Sequence, residues 1–410
     1  MHLRQLTLAD FRNFRRVPEG ADEAEAASAP GQRIEFGERF TVLWGHNGAG
    51  KTNVLEALYL VSTLRSFRTS DLKAMLRRGC DHARIEVLAH DPELGLNRAL
   101  EVRIDRGARS TRRSARLDGK LVRSAVDFYG HVRAVLFTPE DLGILRGSPG
   151  GRRRFLDRVL FARQRAHIGD VQAYEKLLRS RNRVLKTEPE ELPRAERARL
   201  LDTYDQGLTT VGARIWSRRA ELVEELNPGF AAAFSQIHSR DALASGSFES
   251  GLRYAAQVDR HAPPAGPDDH TLERREVRLG EALAAQRRRD EAARRTTIGP
   301  HLDELEVTLD GSPAADFASQ GQSRALILAF KIAELRAARE RGGQAPLLLL
   351  DDVSSELDPV RSAKLFEALA AEVGQCVLTT TAARHIELGP TIERRDLELR
   401  DGQIVGVSGH

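Results

Sequence analysis

Apolar residues fall along the chain in two rhythms. Short unbroken runs, Phe40-Thr41-Val42-Leu43-Trp44, Val135-Leu136-Phe137 and Leu347-Leu348-Leu349-Leu350, predict strands buried on both faces. Leu3, Leu6 and Leu8, the segments 84–88 and 98–104, and Cys376-Val377-Leu378 predict further strands. Helical spacing takes over in residues 53–61, in Leu156, Val159 and Leu160, in Leu222, Val223 and Leu226, and across 271–295 and 323–339. Ser148-Pro149 is a helix-opening pair, and the text to about residue 240 reads as helices too short and interrupted for a long coiled coil. Residues 18–33 lack any apolar period and read as a surface loop; 241–270 read as loop-rich, with 262–267 plainly a loop. The pattern predicts an α/β chain with a mixed sheet built from both ends and an inserted, mainly helical second lobe. The expected divisions are 1–125, 126–295 (opening with the strand and loop 135–142) and 296–410.

The 410 residues suffice for two or three domains, and 41% hydrophobic with 30% charged content describes a soluble globular chain. Aromatic residues make up 5%, too few for base stacking to be the main mode of binding. The net charge of +4 is modest, but the basic residues are mostly Arg and clustered. One cluster holds Arg109, Arg112, Arg113, Arg116 and Lys120 around the hairpin signal Leu117-Asp118-Gly119-Lys120; another includes Arg287 and Arg288. Each is a candidate phosphate contact for DNA, and each could equally be a solvated face. Cys80 and Cys376 lie far apart and suggest neither a metal pair nor a disulfide framework. Met1-His2-Leu3-Arg4-Gln5-Leu6 lacks the apolar core of a signal peptide, and no run reaches membrane-spanning length, so a cytoplasmic location is expected.

The chemistry concentrates in Gly45-His46-Asn47-Gly48-Ala49-Gly50-Lys51-Thr52, which fits the phosphate-loop pattern GxxxxGK[ST] between a predicted strand and a predicted helix. Glycines let backbone N–H groups converge on an anion, and the helix start running on into Asn53 adds its positive dipole end. Lys51 is expected on the β- and γ-phosphates of ATP, and Thr52 on Mg²⁺. Pro346-Leu347-Leu348-Leu349-Leu350 runs into Asp351 and Asp352 at the sheet edge where α/β folds hold their ligands. Asp351 is read as a Mg²⁺ ligand, and Asp352 as the group that orients or deprotonates the attacking water. Ser319-Gln320-Gly321-Gln322 forms a second polar turn at a helix start. One nucleotide does not need both turns from one chain, so the second is read as serving ATP held by a second copy.

These residues resemble the ATP-binding-cassette superfamily, with Gly45 to Thr52 as Walker A, Ser319 to Gln322 as signature loop, Asp351-Asp352 as Walker B and residues 354–358 as D-loop. Within it the chain resembles the RecF family of bacterial DNA recombination and replication-repair proteins. The likeness runs over nearly the whole chain, through Asp10-Phe11-Arg12-Asn13-Phe14-Arg15, Ser66-Phe67-Arg68, Arg153-Arg154-Phe155-Leu156-Asp157 and Gly299-Pro300-His301. It implies that Arg12 and Asn13 lie on the base or ribose side of ATP. It further implies an ATP-dependent head-to-tail homodimer, weak DNA-stimulated hydrolysis, and binding to duplex DNA and single-strand/duplex junctions near the nucleoid. RecR and RecO are the implied partners and RecA loading at gapped DNA the implied outcome. The chain departs from the superfamily in having Thr138-Pro139 where many members carry glutamine, Asp352 where they carry glutamate, no histidine at the end of 376–381, and Leu302 where the family has arginine. A transporter ATPase subunit and a chromosome-organising ATPase are the competing readings. Arg-rich insertions argue against the first, and the short interval between the two ATPase halves against the second.

Overall fold

A computed structural model describes residues 2–16, 31–91, 95–188, 190–239, 248–260, 270–342, 345–352, 369, 372–389 and 392–409. Residues 17–30, most of the expected 18–33 loop, and 354–358, the expected D-loop, lie outside the described residues. The strands are β1 His2–Ala9, β2 Gln32–Glu35, β3 Phe40–Trp44, β4 His82–Asp91, β5 Leu96–Arg106, β6 Thr111–Leu117, β7 Lys120–Leu121 and β8 Ala134–Phe137. They continue as β9 Ser250–Ala255, β10 Glu304–Leu309, β11 Ser312–Pro313, β12 Leu347–Leu350, β13 Gln375–Thr380, β14 Arg394–Arg400 and β15 Gln403–Gly409. Contacts divide the chain into two units, residues 1–141 with 334–410, and residues 142–333.

In the first unit two six-stranded sheets enclose one helix. The mixed sheet runs β15-β14-β3-β13-β12-β8, with β3, β8, β12, β13 and β14 parallel and β15 antiparallel at its edge. The other sheet runs β2-β1-β4-β5-β6-β7 and is wholly antiparallel. Its inner face carries Leu6, Leu8, Ile85, Val87, Val102 and Ile104, all buried. The helix Lys51–Thr63 touches strands of both sheets, which is why almost every position on it is buried. A strand predicted at the start of the second lobe belongs here instead: β8 pairs in parallel with β12 and completes the sheet.

The second unit is built on the helices Pro149–Arg163, Arg165–Lys186, Arg194–Ser239 and Leu272–Ala293. Ser148 caps the first through a bond from the Gly151 N–H, and Thr271 caps the last through Arg274. Arg194–Ser239 is a single 46-residue helix, longer than the interrupted pattern predicts, and it continues through Pro228. An internal proline costs a helix about 3 kcal/mol. Leu222, Val223, Leu226, Phe230 and Phe234 are all buried around it, and their packing offsets that cost. Residues 241–270, read as loop-rich, contain β9; its partner β10 lies far along the chain, so the local pattern was too weak to show it.

Candidate nucleotide-binding site

Strand β3 delivers the chain to Gly45 at the carboxyl end of the parallel strands, and the helix begins at Lys51. Gly45 has φ 146°, and a Cβ there would lie 2.2 Å from the Leu399 carbonyl oxygen. Gly50 occupies the N-cap in a left-handed conformation (φ 111°), with Asn13 and Phe14 so close that a side chain would collide. The helix start has no side-chain cap and no acidic residue in its first turn. Its first N–H groups therefore have no capping carboxylate from their own turn.

Lys51 is 7% exposed and donates from Nζ to the carbonyls of Gly45 (2.7 Å) and His46 (3.0 Å). Burial lowers its pKa, against the opposing charges of Asp352 and Asp351. Strand β13 separates β3 from β12 in the sheet, so the loop and Asp351 flank the end of one strand. There the Thr52 hydroxyl donates to Asp351 Oδ1 at 2.8 Å. Burial pushes the Asp351 carboxyl above its ordinary range, while hydrogen bonds from Thr52 and Thr379 hold it down. Asp352 follows with φ 42°. A hydroxyl and a carboxylate are the hard oxygen donors that Mg²⁺ selects, and a buried ammonium on backbone carbonyls suits a phosphate. His46, Asn47 and Gly48 stand exposed at the lip; Ala49 is buried beneath it, and Asn53 is half-buried.

Arg12 serves the loop from below. Its guanidinium grips the fully buried Glu56 at 2.8 and 2.6 Å and donates to the Ala74 carbonyl at 2.5 Å. Glu56 also accepts from Ser66 Oγ at 2.5 Å and lies 3.4 Å from Arg68. Asn13 donates to the Ala49 carbonyl at 3.2 Å and accepts from Asn53 at 2.8 Å, so its amide braces the loop backbone. Glu56, Arg68 and Thr379 enter these contacts and are not among the candidates named from the sequence. A charged residue inside an otherwise apolar helix was the available signal for Glu56.

Ser319, Gln320, Gly321 and Gln322 belong to the other unit. The Ser319 N–H donates to Gln322 Oε1 at 2.8 Å, and the Gln322 N–H donates to Ser319 Oγ at 3.1 Å. This reciprocal capping box opens the helix Gln320–Gly342, with Ser319 and Gln320 exposed. Arg146 anchors the preceding turn by donating to the Ala318 carbonyl at 2.8 Å.

Residues 2–394 match the family described as RecF/RecN/SMC N terminal domain. The DNA replication and repair protein RecF of Anaeromyxobacter sp. (strain K) is 39% identical over 98% of this chain and 99% of its own. That of Myxococcus xanthus (strain DK1622) is 37% identical over 98% and 97%. The chain belongs to the RecF family. A solved structure of the recombination mediator protein RecF-ATP in the RecFOR pathway superposes with a TM-score of 0.80 at 26% identity, covering 100% of this chain and 97% of that one. The head of Smc bound to the C-winged helix domain of ScpA shares the fold, at a TM-score of 0.51 and 14% identity over 100% of this chain and 98% of that one. The RecF-family fold is thus an ATPase-type α/β head with a helical insertion.

Within this RecF-family chain the basic candidates separate. Arg109 lies in the exposed turn after β5, and Lys120 is exposed on the edge strand β7. Arg112 and Arg116 share the outer face of β6, Arg112 opposite Asp105 and Arg116 opposite Glu101. Arg113, one residue on from Arg112, lies on the opposite face of β6, opposite Ile104, and is exposed as well. Arg287 is held by Asp202 at 2.6 Å and by Asp205, whereas Arg288 is exposed. Among the described residues no helix is long and apolar enough to cross a membrane.

Proposed function

We propose that this chain is an ATP-dependent, DNA-binding ATPase that pairs head to tail with a second copy around ATP. Backbone N–H groups of Gly45 to Thr52 receive the phosphates, together with Asn53 at the helix start. Lys51 exchanges its two carbonyl partners for the β- and γ-phosphates. Thr52 and Asp351 would hold Mg²⁺, which neutralises phosphate charge when bound. Asp352 orients the attacking water and takes its proton. The Ser319–Gln322 turn of the second copy closes the site from the other side.

The observation that carries this reading is the hydroxyl–carboxylate pair Thr52–Asp351 beside a buried, displaceable ammonium. The exposed, self-capped turn of the other unit adds the second half of a composite site. In this reading the protein would act in recombinational DNA repair and replication restart. It would bind duplex DNA and single-strand/duplex junctions, work with RecR and RecO to load RecA at gaps, and reside in the cytoplasm at the nucleoid.

Light scattering with ADP, ATP and ATP plus duplex DNA tests the pairing: mass should double with ATP only. In ATPase assays, mixing Lys51→Ala with Ser319→Ala protein should restore turnover through one intact composite site. A monomer in ATP that hydrolyses at full rate would overturn the proposal.

A further inference from the structure

Strand β13 places one side chain between the two aspartates. Leu378 pairs with Leu350, so the next residues along the two parallel strands, Thr379 and Asp351, stand side by side. Thr379 is 2% exposed. Its hydroxyl donates to Asp351 Oδ1 at 2.9 Å and accepts the Asp352 N–H at 2.9 Å. The same Oδ1 receives the Thr52 hydroxyl at 2.8 Å. Two hydroxyl protons on one carboxylate oxygen leave Oδ2 as the oxygen open to a further partner. The bond from the Asp352 N–H supports a residue whose φ of 42° costs a non-glycine residue about 1 kcal/mol or more.

We infer that Thr379 is a positioning residue, one hydroxyl that sets both the side chain of Asp351 and the backbone of Asp352. This rests on the ATPase reading above and adds to it the residue that aligns metal ligand with general base. Threonine fits both demands. Serine keeps the hydroxyl, whereas valine keeps the shape and loses both bonds.

The test uses full-length protein with ATP and Mn²⁺ as the probe, bound metal being read by electron paramagnetic resonance. Thr379→Val should weaken Mn²⁺ binding on the order of tenfold, as loss of an outer-shell partner does. Binding of a fluorescent ATP analogue in EDTA should stay within about twofold of wild type, because the phosphate loop is untouched. Thr379→Ser should restore the metal affinity. Turnover by Thr379→Val should fall in kcat even at saturating metal, since Asp352 is also released. In the Asp351→Asn background Thr379→Val should cost no further metal affinity; an additive loss overturns action through Asp351. Wild-type metal affinity and kcat in Thr379→Val overturn the inference alone. If Thr379→Val melts early, Thr379→Cys decides, since a weak thiol donor should give an intermediate affinity and a wild-type value counts against the role. Wild-type protein with no metal-dependent nucleotide binding overturns both the ATPase reading and this inference.

Discussion

The phosphate loop and the polar interior of the second unit both bury charge, and they do so in opposite ways. In the second unit charge meets charge. Asp157 takes Arg219 through two bonds of 2.9 and 2.8 Å and His167 at 2.9 Å, and Arg219 also donates to the Pro300 carbonyl. Arg181, fully buried, joins Asp205 at 2.5 Å, Asp290 at 2.7 Å and Thr296 at 2.9 Å. Burial alone would raise the Asp157 carboxyl; the Arg219 charge and the bonds from His167 and Arg219 hold it far below the ordinary range. At the phosphate loop, by contrast, Lys51 rests on two carbonyls and Asp351 on two hydroxyls. A network in which each buried charge meets an opposite one is structure. A buried charge held by weak, exchangeable partners is prepared for a ligand.

The contrast can be broken most sharply at Asp157. Asp157→Asn leaves Arg219 buried without its counter-charge and should cost about 3–5 kcal/mol in urea denaturation, with ATP affinity of the folded protein unchanged. A loss below about 1 kcal/mol would mean the network is not structural. Lys51→Ala should do the reverse. ATP binding by calorimetry should fall at least about 100-fold, the loss of strong charge-assisted bonds, while the thermal midpoint holds or rises because a desolvated cation is gone.

Acid sharpens the comparison next. Burial lowers the pKa of His301 from 6.5 to about 4, and burial also lowers that of His167. The unfolded chain therefore binds more protons than the native one below pH 6.5, so stability should fall as pH drops through that window toward 4. For the half-buried His301 the loss should be up to about 2 kcal/mol after allowance for solvent screening, and His301→Gln should flatten the slope in urea titrations across pH 4–7. An unchanged slope would exclude this ring as its source. The smallest effects belong to the surface. Arg112→Ala or Lys120→Ala should lower the log-log salt dependence of DNA binding by about 1 each. Arg287→Ala, which breaks an internal pair with Asp202 and Asp205, should leave that slope unchanged and lower stability instead. A change of slope at Arg287 would return it to the DNA-contact candidates.

Much of the first unit was legible because its signals are local. The strand, loop and helix around Lys51 and the leucines before Asp351 follow from residues next to one another. What escaped depended on partners distant in sequence. β9 needed β10 to become a strand, and Arg194–Ser239 needed its buried face to carry a helix through Pro228. The bonds from Arg12 to Glu56 and Ala74 likewise join residues 44 and 62 positions apart in the chain.

By itself the sequence determined the phosphate loop, its paired aspartates and the α/β class, since glycine spacing and apolar runs constrain the backbone wherever they occur. Only the tertiary structure decided which arginines are anchors and which are surface, and which hydroxyl stands between the aspartates. Those outcomes depend on side chains from separate strands meeting across a few ångströms, and the chain order does not encode such meetings locally.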